Sequence, residues 1–237
     1  MTFKRRIGFV RQPSRISPRL NIIWASATTM GRGVAQNKVE AVKWYRKAAE
    51  QNDAQAQNNL GTCYAEGQGV ARDDVQAAKW FRKAAGQNFA EAHYNLGVCY
   101  AEGQGVAKDE FEAAKWYRKA ADQDFAVAQY NLGDFYANGQ GVAKDEIEAV
   151  KWFRKAAEQN FVPALYNMGF RYANGRSVAK DYGEAYQWTF LAASQGEENA
   201  TKLISLLENR MSREQIAEGE KRARIFKPRE VPPAGGR

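Results

Sequence analysis

The sequence predicts an all-α protein, an α/α solenoid in which helix–turn–helix units are stacked along the chain. Segments that start at Ala54, Ala90 and Ala126 repeat one another at a spacing of 36 residues. A looser copy starts at Val162. Each copy carries two apolar patterns of helical period, separated by a glycine-rich turn. A fixed period of about 20–50 residues is typical of arrays in which each unit packs only on its neighbours.

The first helix of each copy is predicted from one apolar stripe. In the copy that runs from Ala90 to Phe125, Ala92, Leu96 and Tyr100 recur every fourth residue, which places them on one helical face. Gly103 follows, and glycine adopts a positive φ without the steric cost of a Cβ atom. We therefore expect this helix to end before the glycine-rich turn.

The second helix of each copy is predicted from its start and its buried face. Asp109 at the N-cap and Glu112 three residues later have the pattern of a capping box. Trp116, Tyr117 and Ala120 then recur on one face. The turn that follows this helix holds residue types that tolerate a left-handed C-cap. These residues are Asn52, Asn88, Asp124, Asn160 and Gly196.

The composition of the chain predicts five segments. They are a basic disordered leader at residues 1–19, a partial repeat at 20–53, four repeats at 54–196, two capping helices at 197–226 and a disordered tail at 227–237. The leader holds six basic residues and no acidic one, and the tail is rich in proline and glycine. Phe190 and Leu191 replace the basic residues of the earlier copies, so we expect both to pack on the capping helices.

The location of the charge argues against nucleic-acid binding by the folded body. The chain has 237 residues and a formal net charge of +8. Residues 1–53 hold 11 basic and 3 acidic residues, whereas residues 54–197 hold 15 basic and 18 acidic ones. A phosphate-binding surface needs basic residues concentrated on the fold. No apolar run reaches the roughly 18 residues of a membrane helix, so no membrane span is expected.

Of the cysteines and the leader, only the leader bears on the compartment. Cys63 and Cys99 occupy equivalent positions of adjacent repeats, about 10 Å apart in stacked helices. A disulfide requires Cα atoms within about 7 Å, so both are predicted to be free thiols. The leader lacks the uninterrupted apolar core of a secretory signal, which favours a cytoplasmic location.

No constellation for catalysis, a cofactor or a metal is predicted. His93 is the one histidine, and the other copies hold Gln57, Gln129 and Leu165 at its position, at the edge of the core. Neither a nucleophile elbow nor a phosphate-binding glycine loop is present in the sequence. The recurring Lys-x-x-Arg-Lys set on the second helices, such as Lys115 to Lys119, indicates a solvated face, with anion binding as the alternative.

The predicted partner site lies on one flank of the first helices. An asparagine recurs in every copy, and it lies about 100° from the apolar stripe, beside a tyrosine row and a row of varied residues. An amide both donates and accepts hydrogen bonds, which suits a peptide backbone. The alternative is that each asparagine braces the neighbouring repeat. The predicted groove residues are Asn59, Asn95, Asn131, Asn167, Tyr94, Tyr130, Tyr166, Thr62, Val98, Asp134 and Phe170.

The repeated motif is similar to a known family. The pattern LG-x-x-Y-x-x-G-x-G-V, an acidic N-cap and A-x-x-W-[FY]-x-[RK]-AA recur between about Gly31 and Ala193. This pattern resembles the Sel1-like repeat, which is related to tetratricopeptide repeats. The resemblance implies a right-handed solenoid with a C-terminal helical cap. It also implies a non-enzymatic scaffold or adaptor that binds a protein or peptide in its concave groove.

The same resemblance implies an alternative function. A cysteine-rich bacterial branch of the family binds penicillins and is described as β-lactamase-like, so a hydrolase is the second hypothesis. Cysteines of that branch pair the two helices of each repeat, where this chain has Ala84 and Ala120. This departure argues against the transfer. The family also allows a periplasmic or secreted location.

Overall fold

The computed structural model describes residues 17–30 and 36–230 of the chain. Those residues form twelve α-helices and no strand. The helices are α1 (Pro18–Met30), α2 (Lys38–Glu50), α3 (Ala54–Glu66), α4 (Asp74–Ala85), α5 (Ala90–Glu102), α6 (Glu110–Ala121), α7 (Ala126–Asn138), α8 (Glu146–Glu158), α9 (Val162–Asn174), α10 (Tyr182–Ala193), α11 (Glu198–Glu208) and α12 (Arg213–Ile225). None of the helices described is both long enough and apolar enough to cross a membrane. The repeated helix–turn–helix units form the predicted α/α solenoid.

The contacts divide the chain into two compact units, with the boundary between Trp80 and Phe81 inside α4. In the first unit, α2 packs against both α1 and α3. In the second unit, α5 to α10 pack in consecutive order, and α10 also packs against α11 and α12. Phe190 contacts the cluster that contains Leu203 and Ile216, as the sequence predicts for the capping helices.

The segment before the first full repeat differs from its prediction. Helix α1 begins at Pro18, inside the range predicted as a disordered leader, and residues 1–16 lie outside the described residues. Ala25 is fully buried in a cluster with Val42 and Tyr45 of α2. Ile22, half-buried on the same helix, packs against this cluster as well.

The start of the predicted tail also differs. Residues 227–230 are not helical, but the backbone N–H of Arg229 donates to the carbonyl oxygen of Glu158 at 2.8 Å. The guanidinium of Arg229 pairs with Asp124 at 2.9 Å. These two bonds attach Arg229 to the repeats. Residues 231–237 lie outside the described residues.

The predicted helices begin where expected, but only one of the two hydrogen bonds of the predicted capping box forms at Asp109. The Asp109 side chain accepts a hydrogen bond from the backbone N–H of Glu112, as an N-cap should. The carboxylate of Glu112 pairs with Lys115 at 2.6 Å instead of completing the capping box. A complete box is present at Ser212. The predicted left-handed turns are confirmed, with φ between 59° and 90°. They are Asn52, Asn88, Asp124, Asn160 and Gly196.

The two helices of a repeat approach closely because glycine faces an aromatic ring. A Cβ atom added to Gly97 would lie 2.6 Å from the ring of Tyr117, and one added to Gly133 would lie 2.8 Å from Phe153. Neither distance is compatible with van der Waals packing. The absent side chain therefore makes room for the aromatic residue of the second helix.

Consecutive repeats are joined by arginine–tyrosine hydrogen bonds on the predicted solvated face. Each arginine of the Lys-x-x-Arg-Lys set donates to a tyrosine hydroxyl of the following repeat. The pairs are Arg46–Tyr64, Arg82–Tyr100, Arg118–Tyr136 and Arg154–Tyr172. Lys119 and Lys155 lie 4.0 Å from the ring centroids of Trp116 and Trp152 respectively. This exposed face therefore also contributes to the packing of the repeats.

The glycine-rich turn of one repeat lies against the second helix of the preceding repeat. Gly141 has φ +61°, and a Cβ atom there would lie 2.0 Å from the backbone oxygen of Glu110. Gly139, in the same turn, also has a positive φ of +73°, but its added Cβ would meet only Lys144, at 3.2 Å. Both glycines therefore need a positive φ, but only Gly141 lies against the backbone of the preceding repeat.

This difference gives a stability prediction. We expect Gly139→Ala to lower the free energy of unfolding by about 1 kcal/mol, the cost of a left-handed L-residue. Gly141→Ala should lower it by roughly 3 kcal/mol, because the backbone of two repeats must also separate. Urea denaturation followed by circular dichroism measures both. Equal losses for the two variants would show that the close approach contributes nothing.

His93 serves as a structural hydrogen-bonding residue in the core. Its side chain is buried, and Nε2 lies 3.0 Å from the carbonyl oxygen of Ala85. Since a carbonyl only accepts, Nε2 carries the proton and Nδ1 accepts from Gln123 at 3.0 Å. Gln129 makes the equivalent bond to the carbonyl oxygen of Ala121 at 3.1 Å. Burial lowers the pKa of His93, and the nearby Lys119 lowers it further, although the Ala85 bond opposes them.

The lowered pKa of His93 predicts a pH dependence of stability. The unfolded chain binds a proton at this position more readily, so the stability contribution is complete above about pH 6.5 and is lost as the pH falls below it. We expect His93→Gln to keep the bond to Ala85, as Gln129 does to Ala121, and to flatten the stability profile between about pH 7 and 5. Thermal unfolding of both proteins across this range is the measurement. Parallel profiles would contradict the prediction.

Candidate functional site

The recurring asparagines lie half-buried where consecutive repeats meet. The side chain of Asn131 on α7 hydrogen-bonds the hydroxyls of Tyr94 on α5 and Tyr117 on α6. Burial raises the pKa of both tyrosines, and the bonds to Asn131 lower it in part. Both hydroxyls therefore stay protonated at neutral pH. Asn131 thus connects three helices of two repeats.

Two other copies each keep one of the two bonds that Asn131 makes. Asn59 hydrogen-bonds the hydroxyl of Tyr45, and Asn167 hydrogen-bonds the hydroxyl of Tyr130. Asn167 also accepts a hydrogen bond from Nε of Arg171 at 2.7 Å. Asn95, the remaining member of the row, is half-buried as well. The bracing arrangement that the sequence left open is therefore present in the structure.

The tyrosine row packs along the repeats. The ring centroid of Tyr94 lies 5.8 Å from that of Tyr117 and 5.5 Å from that of Phe125. Tyr130 has an equivalent position beside Phe153 and Phe161, and Tyr166 lies 6.4 Å from Phe170. All three tyrosines of the row are half-buried.

The third predicted row differs in chemistry from copy to copy. Thr62 donates to the carbonyl oxygen of Asn58 at 3.3 Å, and Val98 packs on the apolar core of the second unit. Asp134 is half-buried, whereas 41% of Phe170 is exposed. The asparagine framework is therefore constant and the residues beside it vary.

Two of these rows meet in a cleft of the first unit, which we call the first-unit cleft. It has a volume of about 180 Å³ and lies between α1, α2 and α3. Its lining residues are Thr29, Lys38, Ala41, Tyr45, Asn59, Thr62, Cys63 and Gln68. Burial raises the pKa of the Cys63 thiol to about 11, so the thiol is protonated at neutral pH and is a poor nucleophile.

A cleft at the equivalent position of the second unit has a different lining. It has a volume of about 320 Å³, and we call it the acidic cleft. It is lined by Ala101, Glu102, Lys108, Glu110, Tyr117, Asn131, Asp134, Phe135, Asn138 and Gln140. Three carboxylates and one ammonium group face this space. Tyr117, Asn131, Asp134 and Gln140 follow Tyr45, Asn59, Thr62 and Gln68 by two repeat lengths.

The next junction between repeats, formed by α7, α8 and α9, has Arg171 at the position equivalent to Phe135 of the acidic cleft. Arg171 is 4% exposed, and its Nη1 lies 2.9 Å from Oε2 of Glu146. Its guanidinium also lies 4.9 Å from the ring centroid of Phe153. Arg176 pairs with the other oxygen of Glu146 at 3.0 Å. Partial desolvation raises the pKa of Glu146, but its bonds to Arg171 and Arg176 outweigh this, so the pKa is lowered overall.

Sequence reasoning identified Asn131 and Asp134 but missed Glu102, Glu110 and Gln140. These three come from the end of α5, the start of α6 and the turn after α7. Their proximity depends on how consecutive repeats stack. A comparison of equivalent positions in the repeats could have indicated this cleft from the sequence. Position 135 holds phenylalanine where position 171 holds arginine, although both are followed by the same Tyr-Ala-Asn segment.

The bracing role predicts energetic coupling between Asn131 and Tyr94. We expect Tyr94→Phe and Asn131→Ala each to lower the free energy of unfolding by about 1 kcal/mol. The double variant should lose less than the sum, because the two side chains share one hydrogen bond. Urea denaturation of the four proteins gives the coupling energy. Asn138→Ala, an exposed asparagine on the same helix, is the control partner, and coupling of equal size there would contradict the bracing role.

Comparison with known proteins agrees with the fold and the repeats. The family model of the Sel1 repeat matches residues 26–53, 54–89, 90–125, 126–161 and 162–197. A Sel1 repeat protein from Oxalobacter formigenes is 34% identical with a TM-score of 0.79, and the match covers 92% of both chains. No curated protein matches the chain.

Two further solved structures are similar. A protective antigen of uropathogenic Escherichia coli with an SLR fold is 32% identical with a TM-score of 0.74. The match covers 87% of this chain and 46% of the antigen, so this chain spans about half of the antigen's length. An immunity protein from Pseudomonas aeruginosa, 23% identical with a TM-score of 0.54 over 88% of this chain and 79% of its own, shares the fold alone. With repeats matched from residue 26 to residue 197, this chain belongs to the Sel1 repeat family.

Proposed function

We propose that this protein is a non-enzymatic interaction scaffold that binds an extended segment of a protein partner along its first helices. One observation carries the proposal. Equivalent clefts occur in both units. Each contains a tyrosine and an asparagine at equivalent repeat positions, but the other lining residues differ in charge. A constant framework with variable linings suits the binding of different side chains at different repeats. Repeat proteins of stacked helices commonly bind along such a surface.

The chemistry of the clefts favours binding over catalysis. Lys38 and Cys63 line the first-unit cleft, and a thiol that burial keeps protonated is a weak nucleophile. The residues described contain no group of three or more histidine, cysteine, aspartate or glutamate side chains that could hold a metal ion. Cys63 and Cys99 are both free thiols, so the disulfide framework of the penicillin-binding branch is absent from these two positions.

The predicted groove residues have two roles in this proposal. The asparagines Asn59, Asn95, Asn131 and Asn167, together with Tyr94, Tyr130 and Tyr166, form the framework. The residues that contact the partner most directly are Thr62, Val98, Asp134 and Phe170. A carboxylate and an exposed aromatic ring in the same row give a partner segment two different anchors. Because the asparagines also brace the fold, the sharper test of binding uses Asp134 and Phe170.

The test is selection of binding peptides and their affinity for two variants. Random twelve-residue peptides displayed on phage are selected on the wild-type protein and then synthesised. We expect Asp134→Lys with Phe170→Lys to weaken their binding at least tenfold, about 1.4 kcal/mol or more, because both anchors are lost. Fluorescence anisotropy of labelled peptides measures the affinities.

The matched control changes the same residue classes elsewhere. Asp122 is exposed at the end of α6, and 67% of Ile225 is exposed on α12, so Asp122→Lys with Ile225→Lys reproduces the change in charge and apolar surface. This control should bind the peptides like the wild type. A selection that returns no related sequences, or peptides that bind the first variant unchanged, would contradict the proposed function.

A further inference from the structure

We propose that the acidic cleft is a receptor for the guanidinium group of an arginine side chain, presented by the bound partner segment. This inference deepens the proposed function and rests on it, because it names the residue type that one repeat junction recognises. Three observations carry it. They are the lining of the cleft, the occupant of the next junction, and the positions at which the two junctions differ.

The lining offers negative charge that the protein does not neutralise. Asp134 is half-buried and has no salt-bridge partner within 4.0 Å among the described residues. Burial raises the pKa of Asp134, and the distant charge of Arg171 lowers it in part. Glu102 faces the same space, also without an ion pair to any described residue. A cation entering the cleft would restore the interactions that the Asp134 carboxylate loses by desolvation.

The junction between the third and fourth repeats shows what such a cleft holds. There the buried guanidinium of Arg171 lies 2.9 Å from Glu146 and 2.7 Å from the amide oxygen of Asn167. Glu146 and Asn167 are the equivalents of Glu110 and Asn131, each 36 residues later. The acceptors that bind Arg171 are therefore present again in the acidic cleft.

The donors are missing from the acidic cleft. Phe135 stands at the position equivalent to Arg171, and Gln140 stands at the position equivalent to Arg176. Two further carboxylates, Glu102 and Asp134, replace Asn138 and Phe170 of the later junction. The acidic cleft thus has more negative charge than the junction that holds an arginine, and neither of the two arginines. No described arginine takes the place of Arg171 or Arg176 there, and the proposal assigns that role to a partner segment.

One cation already lines the cleft and would be displaced from its partner. Lys108 pairs with Glu110 at 3.4 Å, and its side chain is 61% exposed. Exposed pairs of this kind contribute little because water competes for both charges. Lys144, the equivalent of Lys108, makes no salt bridge to Glu146 within the described residues, since Arg171 and Arg176 occupy that carboxylate. The same exchange at Glu110 would free the Lys108 ammonium to solvent.

Arginine fits the site better than a compact cation. The planar guanidinium donates several hydrogen bonds in fixed directions, which suits carboxylates on two helices and an amide between them. The ring of Phe135 provides an apolar wall for the aliphatic stem of the side chain. The first-unit cleft has Lys38 where the acidic cleft has Glu110, so it would repel the same group. The two clefts therefore discriminate between side chains.

A titration of the intact protein tests the inference without a partner. The probe is N-acetyl-arginine-methylamide, followed by ¹⁵N NMR of backbone and asparagine side-chain signals. We expect saturable shifts centred on Asn131, Asp134 and the turn at Gln140. The isosteric neutral citrulline derivative should produce none, and the lysine derivative should bind at least threefold more weakly. Shifts of equal size with citrulline would overturn the proposal.

Charge-matched variants separate the cleft from the general surface. Glu110→Gln with Asp134→Asn removes two carboxylates of the cleft and should weaken arginine binding at least fivefold. Glu112→Gln with Asp122→Asn removes two carboxylates of the same repeat outside the cleft and should leave the affinity unchanged. Equal weakening by both pairs would show that the probe responds to net charge alone, and the proposal would fail.

A variant that supplies its own arginine to the acidic cleft tests the inference in a second way. Gln140→Arg places a guanidinium where Arg176 binds Glu146, in a turn rather than in the core, so the fold should be kept. Its arginine should pair with Glu110 and reduce the affinity for the probe at least threefold. Gln104→Arg makes the same change one repeat earlier and should leave the affinity unaltered. An unchanged affinity in Gln140→Arg would contradict the proposed position of the ligand.

The outcomes distinguish this inference from the scaffold proposal. If the probe binds the cleft but phage selection yields no peptide family, the scaffold proposal fails and the arginine receptor stands. If selected peptides bind the first helices but lack an enriched arginine, and the probe produces no saturable shift, the arginine receptor fails alone. Selected peptides whose arginine-to-citrulline change costs at least fivefold in affinity would support both.

Discussion

The packing of the repeats depends on the aromatic side chain at the position of Tyr117. Its ring fills the space that Gly97 leaves on the first helix of the same repeat. Its edge contacts Phe135 of the next repeat at a centroid distance of 5.2 Å, and its hydroxyl hydrogen-bonds Asn131. One side chain therefore connects two helices of its own repeat to the first helix of the following one. A single helical pair buries too little apolar surface to be stable alone, so this connection is what makes the array fold.

This packing restricts the residue type at some positions of the repeat and leaves other positions free to vary. The glycine opposite the ring and the asparagine that meets its hydroxyl are held by contacts on both sides. Asp134 lies one turn further along α7, beside the braced side chains and facing a cleft. A residue at that position changes the lining of the cleft without disturbing the bonds of Asn131. Each repeat junction can therefore acquire its own chemistry while the stack stays the same.

The regular part of this fold was predictable, because each helix and turn is encoded within one repeat. The left-handed residue at Asp124 and the N-cap at Asp109 follow from local backbone preferences, and both are confirmed. The clefts were not predictable in the same way, because Glu102, Glu110 and Gln140 meet only after two repeats have stacked. The contact of Ala25 with α2 and the attachment of Arg229 to Glu158 were missed for a related reason. Ala25 and Arg229 both lie outside the four full repeats, so no periodic pattern indicates these contacts.

The last repeat shows how the same framework closes. Thr189 replaces the aromatic residue of the second helix and is fully buried, and its hydroxyl donates to the carbonyl oxygen of Ala185 at 2.6 Å. Arg171 fills the preceding junction with a buried guanidinium, which is stable there because Glu146 and Asn167 satisfy it. A buried charge of this kind needs its acceptors already in place, and the preceding junction holds the same two acceptors at Glu110 and Asn131. The junction at Arg171 is therefore the arrangement that we propose for the acidic cleft, with the guanidinium supplied by the chain itself.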